Sequence, residues 1–199
     1  MDNALLELVT CSELILATTP DASQIPIGPL LELFNILKRI VSALGMLFGF
    51  AADDIGVKCQ RVREICTRAG LMQATVNTLI AHEKEKKTIE TDAIRNLLPL
   101  IRSMEFVSVM LNSLNGPKEL GECLRESYYS TLYKHHNYFV VSAVIAASWT
   151  VPTKENFFAV LGVKTTRALD LCNQISPKLD LIYKGLKGIY EEENVWNLK

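Results

Sequence analysis

Apolar residues recur along this chain at three- and four-residue spacing nearly everywhere, and strict alternation never persists beyond about five residues. That is the pattern of helices that bury one face, and it predicts an all-α protein. A first helix is expected from about Asn3 to Ala17. The stretch Thr18 to Pro29, with Pro20, Pro26, Gly28 and Pro29, reads as a linker, and Pro29 suits the first position of a second helix, where its missing N–H is not needed. That helix, Leu30 to about Ala51, is apolar almost all round and is expected to be buried on most sides. Asp53 or Asp54 can cap a third helix running to about Arg68, with Ala69-Gly70 as its stop. Further helices are expected at about Met72 to Lys86, Thr91 to Leu114, Lys118 to Ser148, Lys154 to Leu161 and Thr165 to Glu191. Asn115-Gly116-Pro117 and Pro152-Thr153 punctuate the last boundaries. About eight helices of this character exceed a simple four-helix bundle and point to a layered helical globule. There is no internal repeat, and the whole chain, 1–199, reads as one domain.

Composition sharpens this picture. Apolar residues make up 49% of the 199 positions and charged ones only 22%, more apolar surface than a polar shell needs to enclose, so something must bury the surplus. Lys and Arg total 21 against 22 Asp and Glu, a net charge of −1, which argues against nucleic acid, whose phosphates demand a basic stripe. The N-terminal stretch carries Asp2, Glu7 and Glu13 with no early Lys or Arg, unlike a secretory signal. The most apolar run, Phe139 to Val151, is short of the roughly 20 residues that span a bilayer as a helix. Cys11, Cys59, Cys66, Cys123 and Cys172 are odd in number and form no C-x-x-C pair, so reduced thiols and a cytoplasmic location are expected.

The chain offers little to catalysis. None of His82, His135 and His136 has a Glu three residues before it, so the di-iron pattern fails, and no Gly-x-Ser-x-Gly elbow or glycine-rich phosphate loop occurs. We expect no enzyme, no metal and no cofactor. More informative are charges set within apolar helices. Asp54, Lys58 and Arg61 share one helical face, which by spacing alone fits either a cap with a surface ion pair or a polar site. Arg95 and Arg102 lie seven residues apart on another face, as a surface stripe or part of a site. Pro99 between them predicts a kink near Arg95. His136 alone fits a structural histidine as well as a ligand.

The segment Leu44-Gly45-Met46-Leu47-Phe48-Gly49-Phe50-Ala51-Ala52-Asp53-Asp54-Ile55-Gly56-Val57-Lys58 resembles the signature of the glycolipid transfer protein superfamily. There, an apolar helix ending in Leu-Gly and Phe leads into Asp, with Asn or Lys four residues on. Two further stretches agree in order and spacing. Arg95-Asn96-Leu97-Leu98 through Met104-Glu105-Phe106-Val107 is similar to the central helix, and His135-His136-Asn137-Tyr138 with Ser148-Trp149-Thr150-Val151-Pro152-Thr153 is similar to the His-Gly-Trp and Ala-x-Pro elements. The matches span about Leu30 to Leu161.

The resemblance implies a two-layer helical sandwich that takes up single sphingolipids and moves them between membranes as a monomer with transient membrane contact. It implies that Asp54 accepts hydrogen bonds from the sphingoid amide and hydroxyl, and that His136 donates to the acyl carbonyl. Lys58, where glycolipid binders have Asn, and Arg95 are similar to the phosphate-binding residues of the accelerated-cell-death and ceramide-1-phosphate branch. Pro99 stands where the family has a sugar-stacking Trp or a second Arg, so Arg61 or Arg102 is expected to supply the missing cation. Asn137 and Tyr138 replace the family's Gly and Trp. Tyr138, Trp149, Phe157 and Phe158 are candidates for a membrane-interface patch, with core packing expected for the two phenylalanines. A neutral or glycosylated headgroup is the alternative ligand, and a lipid-sensing helical adaptor the alternative function.

Overall fold

The computed structural model describes residues 3–19, 24–88 and 92–198, and these fold as nine α-helices and two short 3-10 turns, with no β-strand among the described residues. Helix α1 is Ala4–Thr18, α2 Ile27–Ser42, α3 Gly49–Ala69, α4 Val76–Lys86 and α5 Ala93–Ser113. Then come α6 Leu120–Ser130, α7 Tyr138–Ser148, α8 Lys154–Val160 and α9 Thr165–Glu192. Helix α5 packs on α9, α9 on α1, α1 on α2, α2 on α3, and α3 back on α5, so five helices close a ring. Helix α2 also touches α5 across it, which flattens the ring into two layers. The predicted apolar faces line the interior: Leu30, Phe34 and Leu37 of α2, Leu97, Ile101 and Met104 of α5, and Leu171, Ile175 and Leu179 of α9 are all buried. Helix α6 lies on α5 and α7 on α6, beyond the ring.

Several boundaries differ from the sequence expectation. The second helix starts at Ile27 with Pro29 in its first turn, and ends at Ser42 instead of continuing to Ala51. Gly45 adopts a left-handed φ of 117°, open to glycine, and Met46–Phe48 form a 3-10 turn before α3. The apolar run continued through this break, so periodicity could not register it. Asp53 and Asp54 consequently lie inside α3, not at its cap. Gly70 does end that helix with φ 71°. Thr75 caps α4 by accepting from the Thr78 amide, which moves its start from Met72 to Val76. The single long helix expected over Lys118 to Ser148 is two, separated by the turn Tyr133–His135 and an extended His136, with Asn137 capping α7 through the Val140 amide. Helix α5 runs as one element across Pro99. Residues 20–23 of the expected linker and the expected helix start at Thr91 lie outside the described residues.

The N-terminus of α5 is held by another helix. Glu83 of α4 is buried, and its carboxylate accepts from the Ala93 and Ile94 amides at 2.7 and 3.2 Å, satisfying two donors that a helix start leaves open.

Candidate functional site

Where α2, α3, α5, α6 and α7 meet, the structure leaves a cavity of about 470 Å³. Val41, Phe48, Leu100, Phe106, Val140 and Val144 make its walls apolar, while Asp54, Lys58, Ser103, Tyr128 and His136 bring polar atoms to it. An apolar pocket with a few convergent polar groups is the usual form of a small-ligand site. Asp54 and Lys58, one turn apart on α3, are ion-paired at its edge, Asp54 more open to solvent than Lys58. His136 sits in the extended link before α7, and its Nδ1 lies 2.9 Å from the Tyr128 hydroxyl of α6.

Burial lowers the His136 pKa below 6.5, with Asp54 opposing and Arg102 reinforcing the effect, so the ring is neutral near pH 7. The Tyr128 phenol, pushed up to about 12 by burial, keeps its proton and can donate it to Nδ1. A neutral ring in that arrangement carries its own proton on Nε2 and is a hydrogen-bond donor to a carbonyl.

Lys58 and Pro99 also border a second pocket of about 420 Å³, lined by Arg95, Asn96, Leu98, Arg102 and Leu198. Three cations thus face one space that adjoins the apolar cavity through a shared wall. Arg102 is half-buried and donates through Nη2 to the Trp196 carbonyl at 2.8 Å. Arg61 goes elsewhere: it lines a separate cleft with Lys38, Asp53 and Glu64. Burial pushes neighbouring His135 down to about 4, helped by the charges of Arg102 and Lys134, so it too is neutral. No group of three or more metal-ligating side chains occurs among the described residues.

Of the interface candidates, Tyr138 is 79% exposed, and Phe139, which it touches edge-on, is 81% exposed. Helix α7 packs against the 3-10 turn that carries exposed Met46 and half-exposed Leu47. Trp149 is exposed at the far end of α7, where Arg125 stacks on its ring at 4.0 Å. Phe157 and Phe158 are fully buried core residues. Sequence reading missed Tyr128, Met46 and Trp196. Tyr128 lies eight residues before His136 across a broken helix, a spacing with no periodic signature, whereas Met46 looked like one more residue of a buried run.

Comparison with known proteins places the chain in a family and a fold. The family model for glycolipid transfer protein (GLTP) matches residues 25–163. The ceramide-1-phosphate transfer protein of Mus musculus is 22% identical, covering 81% of this chain and 82% of that protein. Glycolipid transfer protein 2 of Arabidopsis thaliana is 24% identical, covering 87% and 80%. The crystal structure of human ceramide-1-phosphate transfer protein in complex with 12:0 ceramide-1-phosphate superposes with a TM-score of 0.88 over the full length of both chains, at 19% identity. With a family model spanning most of its length, from just before α2 to the turn after α8, the chain belongs to the glycolipid transfer protein family.

Proposed function

We propose that this protein binds single sphingolipids with a phosphate headgroup, of the ceramide-1-phosphate type, and transfers them between membranes through the cytosol as a monomer. The observation that carries the reading is the junction of two spaces: an apolar cavity edged by Asp54 and His136, joined at Lys58 to a pocket that Arg95 and Arg102 also line. In this assignment the lipid amide lies between Asp54, which accepts from its N–H, and His136, which donates to its carbonyl. The phosphate lies against Lys58, Arg95 and Arg102, whose bonds to it are charge-assisted and strong. Among the described residues no aromatic ring lines the basic pocket, so the platform on which a sugar would stack is missing there, which favours phosphate over a glycosyl headgroup.

The energetics place selectivity at the headgroup. Burying a chain of about 15 methylenes is worth on the order of 12 kcal/mol at roughly 0.8 kcal/mol each, but the bilayer offers nearly the same environment. Chain transfer is therefore close to balanced, and the difference between lipids comes from the polar groups. An uncharged headgroup would forgo the charge-assisted bonds that Lys58, Arg95 and Arg102 offer a phosphate. Exposed Tyr138, Phe139, Met46 and Phe50, beside the cavity mouth, form the face that docks transiently on the bilayer. Among the described residues no helix is long and apolar enough to cross a membrane.

The deciding experiment is transfer between vesicles, comparing ceramide-1-phosphate, a glycosylceramide, sphingomyelin and phosphatidic acid. Rapid transfer of ceramide-1-phosphate and slow transfer of the others is the expected result. Ready transfer of glycosylceramide with none of ceramide-1-phosphate overturns the phosphate assignment. A protein that binds one lipid per chain yet moves none is a sensor.

A further inference from the structure

One wall of the basic pocket comes from the segment that follows α9. The chain turns back at Asn194, whose φ is 59°, and the Val195 amide donates to the Tyr190 carbonyl at 2.8 Å. Lys84 of α4 holds the start of the turn by donating to the Glu193 carbonyl at 2.8 Å. The Trp196 indole then packs edge-on against Tyr183 and Tyr190, 6.3 Å from each ring centre, and Leu198 reaches the pocket beside Lys58 and Arg95.

Arg102 is tied to this segment twice. Its Nη2 donates to the Trp196 carbonyl, and its guanidinium carbon lies 5.3 Å from the centre of the Trp196 ring. Its Nε is buried without a hydrogen-bond partner among the described residues, and none of their carboxylates forms an ion pair with it. A carbonyl dipole and a ring face steady a guanidinium without neutralising it, whereas a carboxylate would cancel the charge that an anion needs to meet. Left untethered, so long and flexible a side chain would extend its head into water.

We infer that Trp196 is a positioning residue for the headgroup: the segment Glu193–Leu198 is a strap that holds Arg102 toward the basic pocket, where Arg102 supplies the cation that proline at position 99 withholds. The inference rests on the phosphate reading of that pocket and adds the element that makes it work without a second arginine on α5 at position 99.

The test is a double-mutant cycle on the intact chain, with Trp196→Ala, Arg102→Gln and their combination. Equilibrium binding is measured for ceramide-1-phosphate and for uncharged ceramide of the same chains. Arg102→Gln is expected to lower ceramide-1-phosphate affinity by about tenfold or more. Trp196→Ala should lower it comparably, and the double variant should be no worse than Arg102→Gln, because both remove one interaction. Ceramide affinity and helical circular dichroism should stay near wild type in all three, and Trp196→Phe, which keeps a ring over Arg102, should restore most of the phosphate affinity. Equal loss for both lipids after Trp196→Ala, or losses that multiply in the double variant, would give the strap a packing role alone and overturn the inference. A wild-type protein with no preference for the phosphate lipid overturns the reading beneath it, a result visible before any variant is made.

Discussion

Tyr128→Phe isolates the contact on which the proposed role of His136 depends. The hydroxyl lies 2.9 Å from Nδ1 on a ring only 1% exposed, and phenylalanine fills the same space, so neither a cavity nor a new polar group is created. Two effects follow. The fold loses one partly buried hydrogen bond, worth about 1 kcal/mol, and the imidazole loses the donor that keeps its own proton on Nε2, the proton proposed to meet the lipid carbonyl. If that Nε2–H bond contributes a similar amount, lipid affinity falls by roughly fivefold. The fall should be the same for ceramide-1-phosphate and uncharged ceramide, since both present the same amide carbonyl. Equilibrium binding to the two lipids, run beside chemical denaturation, reads both effects. A variant destabilised by about 1 kcal/mol that binds both lipids as tightly as wild type would refute the reasoning, because Tyr128 would then serve packing and not the orientation of His136.

Other variants probe the rest of the site and the fold. Asp54→Val is expected to abolish transfer while leaving the helical circular dichroism spectrum intact; since Asp54 lies within α3, normal transfer by the folded variant would reduce it to one half of a surface ion pair with Lys58. Replacing Lys58 or Arg95 by a neutral residue should cost on the order of 2–5 kcal/mol of ceramide-1-phosphate affinity and far less for uncharged ceramide, as measured by binding; equal loss for both would indicate structural damage. Met46→Ser with Phe139→Ser should weaken vesicle binding and slow transfer without changing affinity for a short-chain lipid presented in solution, a split that a core role for either side chain would not produce. Burial pushes the Glu83 carboxyl up to about 7, from 4.5, against the pull of the Ala93 and Ile94 amides. Its folded pKa is raised, so its contribution to stability is full below about pH 4.5 and is lost as pH rises through about 7. Urea denaturation across that window should show stability falling with pH, and Glu83→Gln should flatten the slope.

Much of this protein was legible in its sequence, for a physical reason. A helix that buries one face repeats its apolar residues every three or four positions whatever it packs against, so α1, α5, α8 and α9 emerged within a few residues of their ends. Gly70 stopped α3 because the backbone there needs a left-handed φ that glycine reaches without strain. Asp54, Lys58, Arg95 and His136 could be proposed because motif order singles out residues where spacing alone leaves a cap, an ion pair or a structural histidine equally open, and the structure places them along two adjoining pockets.

What only the tertiary structure decided are the features that depend on two segments meeting. Gly45 turns the chain within an apolar run that shows no change of pattern, and that turn sends Met46 outward instead of into the core. Thr131 to His136 leave the helix with no glycine or proline to announce it, which brings His136 against Tyr128. Arg61 and Arg102 were equal candidates to replace the cation missing at Pro99, because periodicity places a side chain on a face but not opposite a particular neighbour. Packing separated them: α3 turns Arg61 into the cleft with Lys38, whereas the chain beyond α9 folds back over Arg102 and fixes it beside Lys58 and Arg95.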